Sequence, residues 1–284
     1  MVRQMERFSA PSLHTIASLI EQIGKPSMPL ALDQMLQQTA VFDLSVVFGY
    51  PFDTRPLLLY DGYRDYAAPI ALQNYLNGAY LLDPFYTAAV QGREPGVWRM
   101  RELAPDSFFD SEFFSSTEVH PCISLQPGSL VEEIGFLVPL EGGFNAVYSL
   151  MRSKGSPFTN DEMAKLSELE PVVRQTIRAH WRHVGPVERQ PKLDDLMETA
   201  FESFCRDRLT YQQRRIVQLI LRGHSNLSIG QIISVTEGTV KIHRQNIYKR
   251  LEISSQQELF VMFVQSILSK SSGNSDIYIS KSSK

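Results

Sequence analysis

Between Thr236 and Leu251 the chain mixes side chains that can grip a polyanion with side chains that must be buried. Lys241, Arg244, Lys249 and Arg250 bring positive charge, and Gln245 brings an amide that both donates and accepts. On a helix, Val240, Ile247 and Leu251 share one face and leave those five residues on exposed positions. Cations in such a row neutralise phosphates, and an amide beside them can hydrogen-bond a base edge in a duplex groove. A solvated charged face that happens to cluster is the alternative.

The charge balance of the whole chain sharpens this. The 284 residues carry a net charge of −3, yet Arg206 through Leu251 holds nine basic residues against two acidic ones, a local +7. The remaining 19 basic and 29 acidic residues leave −10 elsewhere, the asymmetry expected of an acidic sensor joined to a polyanion-binding module. A hydrophobic content of 43% fits a folded protein with room for one large and one small domain. No apolar run approaches the roughly 20 residues of a membrane span, and Met1 to Glu21 lacks a signal-peptide core, so a cytoplasmic protein with no membrane partner is expected. Cys122 and Cys205 are too few for a disulfide framework or a four-ligand zinc site and read as small buried hydrophobes. His180 and His183, three apart, could share a metal or simply end a helix in solvent. With no nucleophile elbow, phosphate loop or required carboxylate pair, neither an enzyme nor a cofactor is implied.

The elements that must present the basic row follow from local signals. Thr210 with Gln213 forms a capping box, opening a helix to about Leu221 that Gly223 stops. Ser225 or Asn226 caps a second helix burying Ile229, Ile232 and Ile233, Thr236 caps the third, and Glu258 to Leu268 supplies a fourth. Two short helices joined by three or four residues are a helix-turn-helix, whose second member enters the major groove.

The run Leu209-Thr210, Gly223-His224-Ser225-Asn226, Ile229, Val235-Thr236-Glu237-Gly238-Thr239-Val240-Lys241-Ile242-His243, Asn246-Ile247-Tyr248-Lys249-Arg250-Leu251, Ser254-Ser255 and Glu258-Leu259 resembles the LuxR-type, or NarL/FixJ-type, DNA-binding domain. The resemblance implies a tetrahelical domain that binds duplex DNA as a homodimer, commonly at an inverted repeat, with the fourth helix near the dimer interface. Thr239 and Lys241 match backbone-contacting positions, and Ile242, Gln245 and Asn246 match groove-facing ones. Arg244, Lys249 and Arg250 join by exposure and charge, and Asn226 completes the DNA-contacting set. RNA polymerase is a further candidate partner. Gln213, Gly230 and Leu227-Ser228 stand where the family usually has glutamate, alanine and a Lys-Glu pair. Glycine at 230 is expected to cost roughly 0.5–1 kcal/mol relative to alanine.

Ahead of this module the periodicity changes. Leu13, Ile16, Ala17, Ile20 and Ile23, then Leu30 to Val41, give two amphipathic helices. Asp43 to Tyr50 and Pro56 to Tyr60 read as strands, and Glu132 to Leu140 with Phe144 to Arg152 as a hairpin turning at Glu141-Gly142-Gly143. Helical or irregular segments lie between the strand pairs. The Thr159–Glu162 capping box opens a helix with Met163, Leu166, Leu169, Val173, Ile177 and Trp181 along one face. The expected fold class is α+β: an N-terminal α/β sandwich around an antiparallel sheet plus a C-terminal all-α tetrahelical helix-turn-helix domain. The expected division is a sensor over 1–183, a linker over 184–205, the DNA-binding domain over 206–268 and a disordered tail over 269–284.

The order of elements does not suit a phosphorylated receiver. Asp83-Pro84-Phe85, Trp98 and Gly135-Phe136-Leu137-Val138-Pro139 resemble the autoinducer-binding domain, one variant of the GAF/PAS-like sensor fold. The resemblance implies that Asp83 accepts a hydrogen bond from a ligand amide and that Trp98 donates its indole N–H to a lactone carbonyl. Tyr75 falls near a pocket tyrosine, and Tyr66 and Gly135 complete the ligand set. Ile70 and Ala71 stand where the family has a further tryptophan, so a small effector other than an acyl-homoserine lactone stays open. Asp83 could equally cap a helix starting at Pro84, and Trp98 and the tyrosines could be core. Control by a protein partner, with no small ligand, is the alternative to ligand sensing.

Overall fold

The structure is a computed structural model that describes residues 11–51, 55–63, 69–116, 130–184, 201 and 203–272. Along the chain run α1 (Leu13–Ile20), α2 (Met28–Leu36), β1 (Leu44–Tyr50), β2 (Leu57–Asp61), α3 (Pro69–Asn77), α4 (Pro84–Val90), β3 (Gly96–Arg99), α5 (Met100–Leu103), α6 (Glu112–Ser115), β4 (Glu132–Pro139), β5 (Asn145–Arg152) and α7 (Asn160–His180). There follow α8 (Tyr211–Leu221), α9 (Asn226–Ile233), α10 (Glu237–Leu251) and α11 (Gln256–Ser272). The chain groups into two compact units: Met1–Asp65, Ala88–Glu102 and Ser129–Arg189 form one, and Tyr66–Thr87, Leu103–Gly128 and Gln190–Lys284 the other. Among the described residues no helix is long and apolar enough to cross a membrane.

The first unit holds an antiparallel sheet in the order β2-β1-β5-β4-β3. The β4–β5 turn is closed by the Leu140 N–H, which donates to the Phe144 carbonyl at 2.8 Å. Gly142 and Gly143 sit at φ of 94° and 83°, a left-handed pair that side chains disfavour. The sequence reading places no strand at Gly96–Arg99. Four residues are too few to display a period of two, and only pairing with β4, Trp98 opposite Gly135, makes them one. Helices α1, α2 and α7 bury Leu19, Leu32, Met35, Leu36, Leu166, Val173 and Ile177 with Val47, Ile134, Phe136, Val138, Tyr148 and Leu150 of the sheet. Each such side chain contributes roughly 1.5–3 kcal/mol. The stripe expected on α1 is displaced: Leu19 is buried with Ile16 and Ile23 against it, while Leu13 and Ile20 face solvent.

Two polar clusters inside this unit tie helices to the sheet and its flanking turns. The Asp33 carboxylate accepts from the hydroxyls of Ser45 (2.7 Å), Tyr60 (2.9 Å) and Tyr148, which ties α2 to three strands or strand ends. Burial, and then the adjacent Asp33 charge, hold the Tyr148 phenol well above its ordinary value. Arg152 donates to the Val41, Ser156 and Pro157 carbonyls and pairs with Glu162 at 2.5 Å, its guanidinium 4.0 Å from the Phe158 ring. Glu162 also completes the capping box with Thr159. His180 spends Nδ1 accepting from the Gly24 N–H at 3.0 Å, and among the described residues there is no cluster of three or more His, Cys, Asp or Glu side chains placed to hold a metal ion.

In the second unit α8 to α11 close a core of Ile216, Val217, Ile220, Ile229, Val240, Ile247, Leu251, Leu259 and Phe263. Ile232, expected inside, is 42% exposed, because the eight-residue α9 buries only Ile229 and Gly230. Helix α11 continues to Ser272, past the end read from composition. Of the expected linker only Val184, Phe201 and residues 203–205 are described, and residues 273–284 and Cys122 lie outside the described residues. Cys205 is half-buried, with φ of 53° and its sulfur 3.8 Å from that of Met262.

Candidate nucleic-acid interface

Three N-caps set the helices of the interface. Thr210 and Gln213 form the expected reciprocal capping box at α8, the Ser225 hydroxyl accepts from the Ser228 N–H at α9, and Thr236 accepts from the Thr239 N–H at α10. Between α9 and α10 the Val235 N–H donates to the Gly230 carbonyl at 2.9 Å, and Ser234 takes the left-handed conformation at φ 59°. A serine there costs on the order of 1 kcal/mol, but it folds the turn back sharply enough to set α10 against α9.

Helix α10 buries Val240, Ile247 and Leu251 and turns Lys241, Ile242, Gln245, Asn246, Lys249 and Arg250 to solvent. Ile242 is 59% exposed, an apolar side chain held out of any core. Lys241 meets Glu237 at 2.7 Å one turn earlier, but both are exposed, and such a surface pair is worth little and opens readily to a phosphate. The backbone N–H of Thr239 is spent on the cap, and its side chain is half-buried beside Thr236.

Arg244 is the exception to the expected exposure. It is half-buried, and its guanidinium donates to Asn226 Oδ1 (3.0 Å), Tyr248 Oη (3.0 Å) and Gln256 Oε1 (3.2 Å). One side chain thus joins the starts of α9 and α11 to α10, and Asn226, expected at the DNA, is its partner. Arg250 likewise donates to Gln213 at 3.0 Å, and its carbonyl accepts from Arg208 at 2.6 Å. Neither Arg208 nor Gln256 is visible as a brace in the sequence, since their partners lie 42 and 12 residues away.

The expected ligand residues fall in two places. Asp83 and Tyr75 belong to the second unit, where the Tyr75 hydroxyl donates to the Asp83 carboxylate at 2.6 Å and the Phe85 N–H does so at 2.7 Å. Asp83 therefore caps α4, and its buried carboxyl is pushed up to about 6 by desolvation, against the lowering effect of those donors. Trp98 and Gly135 belong to the first unit as neighbours across β3 and β4. The Trp98 indole N–H donates to the Glu94 carbonyl at 3.0 Å, and the Arg93 guanidinium lies 4.0 Å from the ring. Tyr66 lies outside the described residues.

Residues 207–263 match the family described as bacterial regulatory proteins, luxR family. The second unit carries a LuxR-family helix-turn-helix domain. A relative from Aeromonas salmonicida, named as an HTH-type transcriptional regulator in the exeN 3′ region, is 29% identical over 203 residues, covering 68% of this chain and 98% of its own length. The HTH-type transcriptional regulator YhjB of Escherichia coli is 35% identical over 54 residues, 19% of this chain and 27% of that protein. Among solved structures, the VqsR LBD domain from Pseudomonas aeruginosa aligns with a TM-score of 0.50 and 24% identity, over 59% of this chain and 94% of that one. What is shared there is the fold.

Two departures from the LuxR-type pattern find physical reasons. Gln213 closes the capping box as glutamate would and, being neutral, sits buried while accepting from Arg250. At Gly230 the expected cost of glycine is the wrong sign for this turn. A Cβ there would stand 2.8 Å from the Val235 carbonyl oxygen, so alanine would force the α9–α10 turn open. Leu227 is 58% exposed, and nothing in the structure explains its replacement of a charge.

Proposed function

We propose that the protein is a transcription regulator that lays α10 in the major groove of duplex DNA and acts as a homodimer at an inverted repeat. The carrying observation is the outward row of α10. Lys241 and Lys249 are placed for phosphates, and Ile242, Gln245 and Asn246 for base edges, on a helix whose opposite face is buried. Arg244 and Asn226 act in this reading by holding the helices in place. Val261, 46% exposed on α11, is an apolar residue that a second copy could cover. The reading places the protein in the cytoplasm, with RNA polymerase as a further partner and no catalytic step. It keeps residues 1–183 as the sensor and 206–268 as the DNA-binding domain.

The test is salt-dependent binding to a duplex selected from random sequence. Lys241→Ala should reduce the log–log salt slope by about one unit and weaken all sequences alike. Gln245→Ala should instead relax preference at one base pair per half-site, a change of roughly 1–3 kcal/mol. No binding at low salt, with or without Lys241, would defeat the assignment.

Control by a small effector, with Tyr75 and Asp83 among its contacts, is the extension of this reading. Its support is the fold of the N-terminal part together with Asp83 and Tyr75 side by side. A second reading, control by a protein partner alone, is favoured by a specific observation: the Asp83 carboxylate and the Trp98 N–H already have partners of their own. Mass spectrometry of the purified chain separates the two. A stoichiometric small molecule whose removal lowers the melting temperature supports the effector, since a ligand bound only to the folded state must stabilise it.

A further inference from the structure

The second unit contains more than the four helices of the LuxR-family domain. A short stretch from far earlier in the chain, Pro105 to Ser111, lies directly on it. The Ser107 N–H donates to the Gly223 carbonyl at 2.9 Å. The backbone N–H of Ser225 donates to Asp106 Oδ1 at 3.0 Å, and the Ser225 hydroxyl donates to Oδ2 of the same carboxylate. Phe108 is fully buried, and Gly223 makes its seat: a Cβ there would come within 2.5 Å of the Phe108 Cα. Gly78 is fitted just as closely against Ile267 of α11. Burial pushes the Asp106 carboxyl up, but the two Ser225 donors outweigh it and hold the group below its ordinary value, ionised at neutral pH.

Ser225 is the N-cap of α9, the helix that precedes the reading helix. In a helix-turn-helix that first helix crosses the DNA backbone, and the partial positive charge at a helix start suits a phosphate oxygen. Here the start of α9 is already held by a carboxylate. Two anions cannot share it, and the charge of Asp106 also repels an approaching strand.

We propose that Pro105–Ser111 is an autoinhibitory clasp that masks the start of α9 and must release before the domain seats on DNA. The clasp rests on the DNA-binding reading above. It makes the segment 103–116 part of how DNA binding is controlled: whatever draws this stretch away exposes the LuxR-family domain. The Ser225 hydroxyl also accepts from the Ser228 N–H at 3.1 Å, so α9 keeps its own cap when Asp106 is removed.

The experiment uses the full chain and a fluorescein-labelled mixed-sequence duplex of about 30 base pairs at low salt, where phosphate contacts dominate. Asp106→Ala should bind about five- to tenfold more tightly than the unmodified chain, a modest gain because the carboxylate is exposed and solvent weakens its hold on Ser225. Asp106→Asn, which keeps the side-chain volume, should fall between them. Asp110→Ala removes the same charge from an exposed neighbour and should gain distinctly less. Equal gains from Asp106→Ala and Asp110→Ala, or none from Asp106→Ala, would overturn the clasp while leaving DNA binding intact. Absence of binding by every variant, indistinguishable from Lys241→Ala, would overturn the DNA-binding reading and the clasp with it.

Discussion

Arg152 at the end of β5 and Lys241 on α10 are both cations on regular elements, and their surroundings differ in every respect. Arg152 is buried and engaged by three carbonyls, a carboxylate and an aromatic ring. Lys241 is 59% exposed in its side chain and meets one exposed carboxylate. A buried cation is tolerable only when its partners replace water, so its contribution is to hold the first unit together. An exposed cation contributes little to stability and is available to another molecule. The same contrast runs between the Asp33 cluster, closed by three hydroxyls, and Gln245 and Asn246, which face outward from α10. Arg244 stands between the extremes, half-buried yet next to the outward row.

The contrast breaks most visibly at Arg152. Arg152→Ala strands the buried Glu162 and several carbonyls and should destabilise the first unit by about 3–5 kcal/mol. Both tryptophans of the chain, Trp98 and Trp181, lie in that unit, so their fluorescence in a urea titration reads it directly. Lys241→Ala in the same titration should leave the midpoint in place. Next in size, Arg244→Ala should lower the stability of the second unit by about 2 kcal/mol through the loss of three hydrogen-bonded partners. It should also weaken DNA binding without changing the salt slope, the opposite of the Lys241 pattern. A reduced slope would make Arg244 a phosphate contact instead.

Gly230→Ala tests sign rather than size. Helix propensity alone predicts a gain of roughly 0.5–1 kcal/mol, whereas the close Val235 carbonyl predicts a loss of about 1 kcal/mol, read by thermal unfolding of the second unit. The smallest effect concerns pH. With its folded pKa raised from 3.8 to about 6, Asp83 binds more protons folded than unfolded in that window, so its contribution to stability declines as pH rises from about 4 to 6. Asp83→Asn should flatten that part of the stability profile, and an unchanged slope would remove Asp83 as its source.

Caps were readable in advance. Thr159, Thr210, Ser225 and Thr236 act where they are expected, because a cap is a contact between residues three apart. The hairpin at Gly142-Gly143 was readable for the same reason. The role of Asp83 was half readable: Asp before Pro signals a cap, whereas Tyr75 as its second partner depends on how α3 meets the turn into α4. Strand β3 and the bracing role of Arg244 were not readable, since each depends on groups from separate elements.

The sequence alone established that Glu237–Leu251 forms a basic amphipathic helix and which of its positions are buried, because periodicity and an excess of basic residues are local properties of a single stretch. Only the tertiary structure decided which of those residues are free to leave the protein and which are bound within it. Arg244 closed on Asn226, and Ser225 met by Asp106 from 119 residues away, follow from chain segments brought together by folding, and no local pattern encodes the partner at that separation.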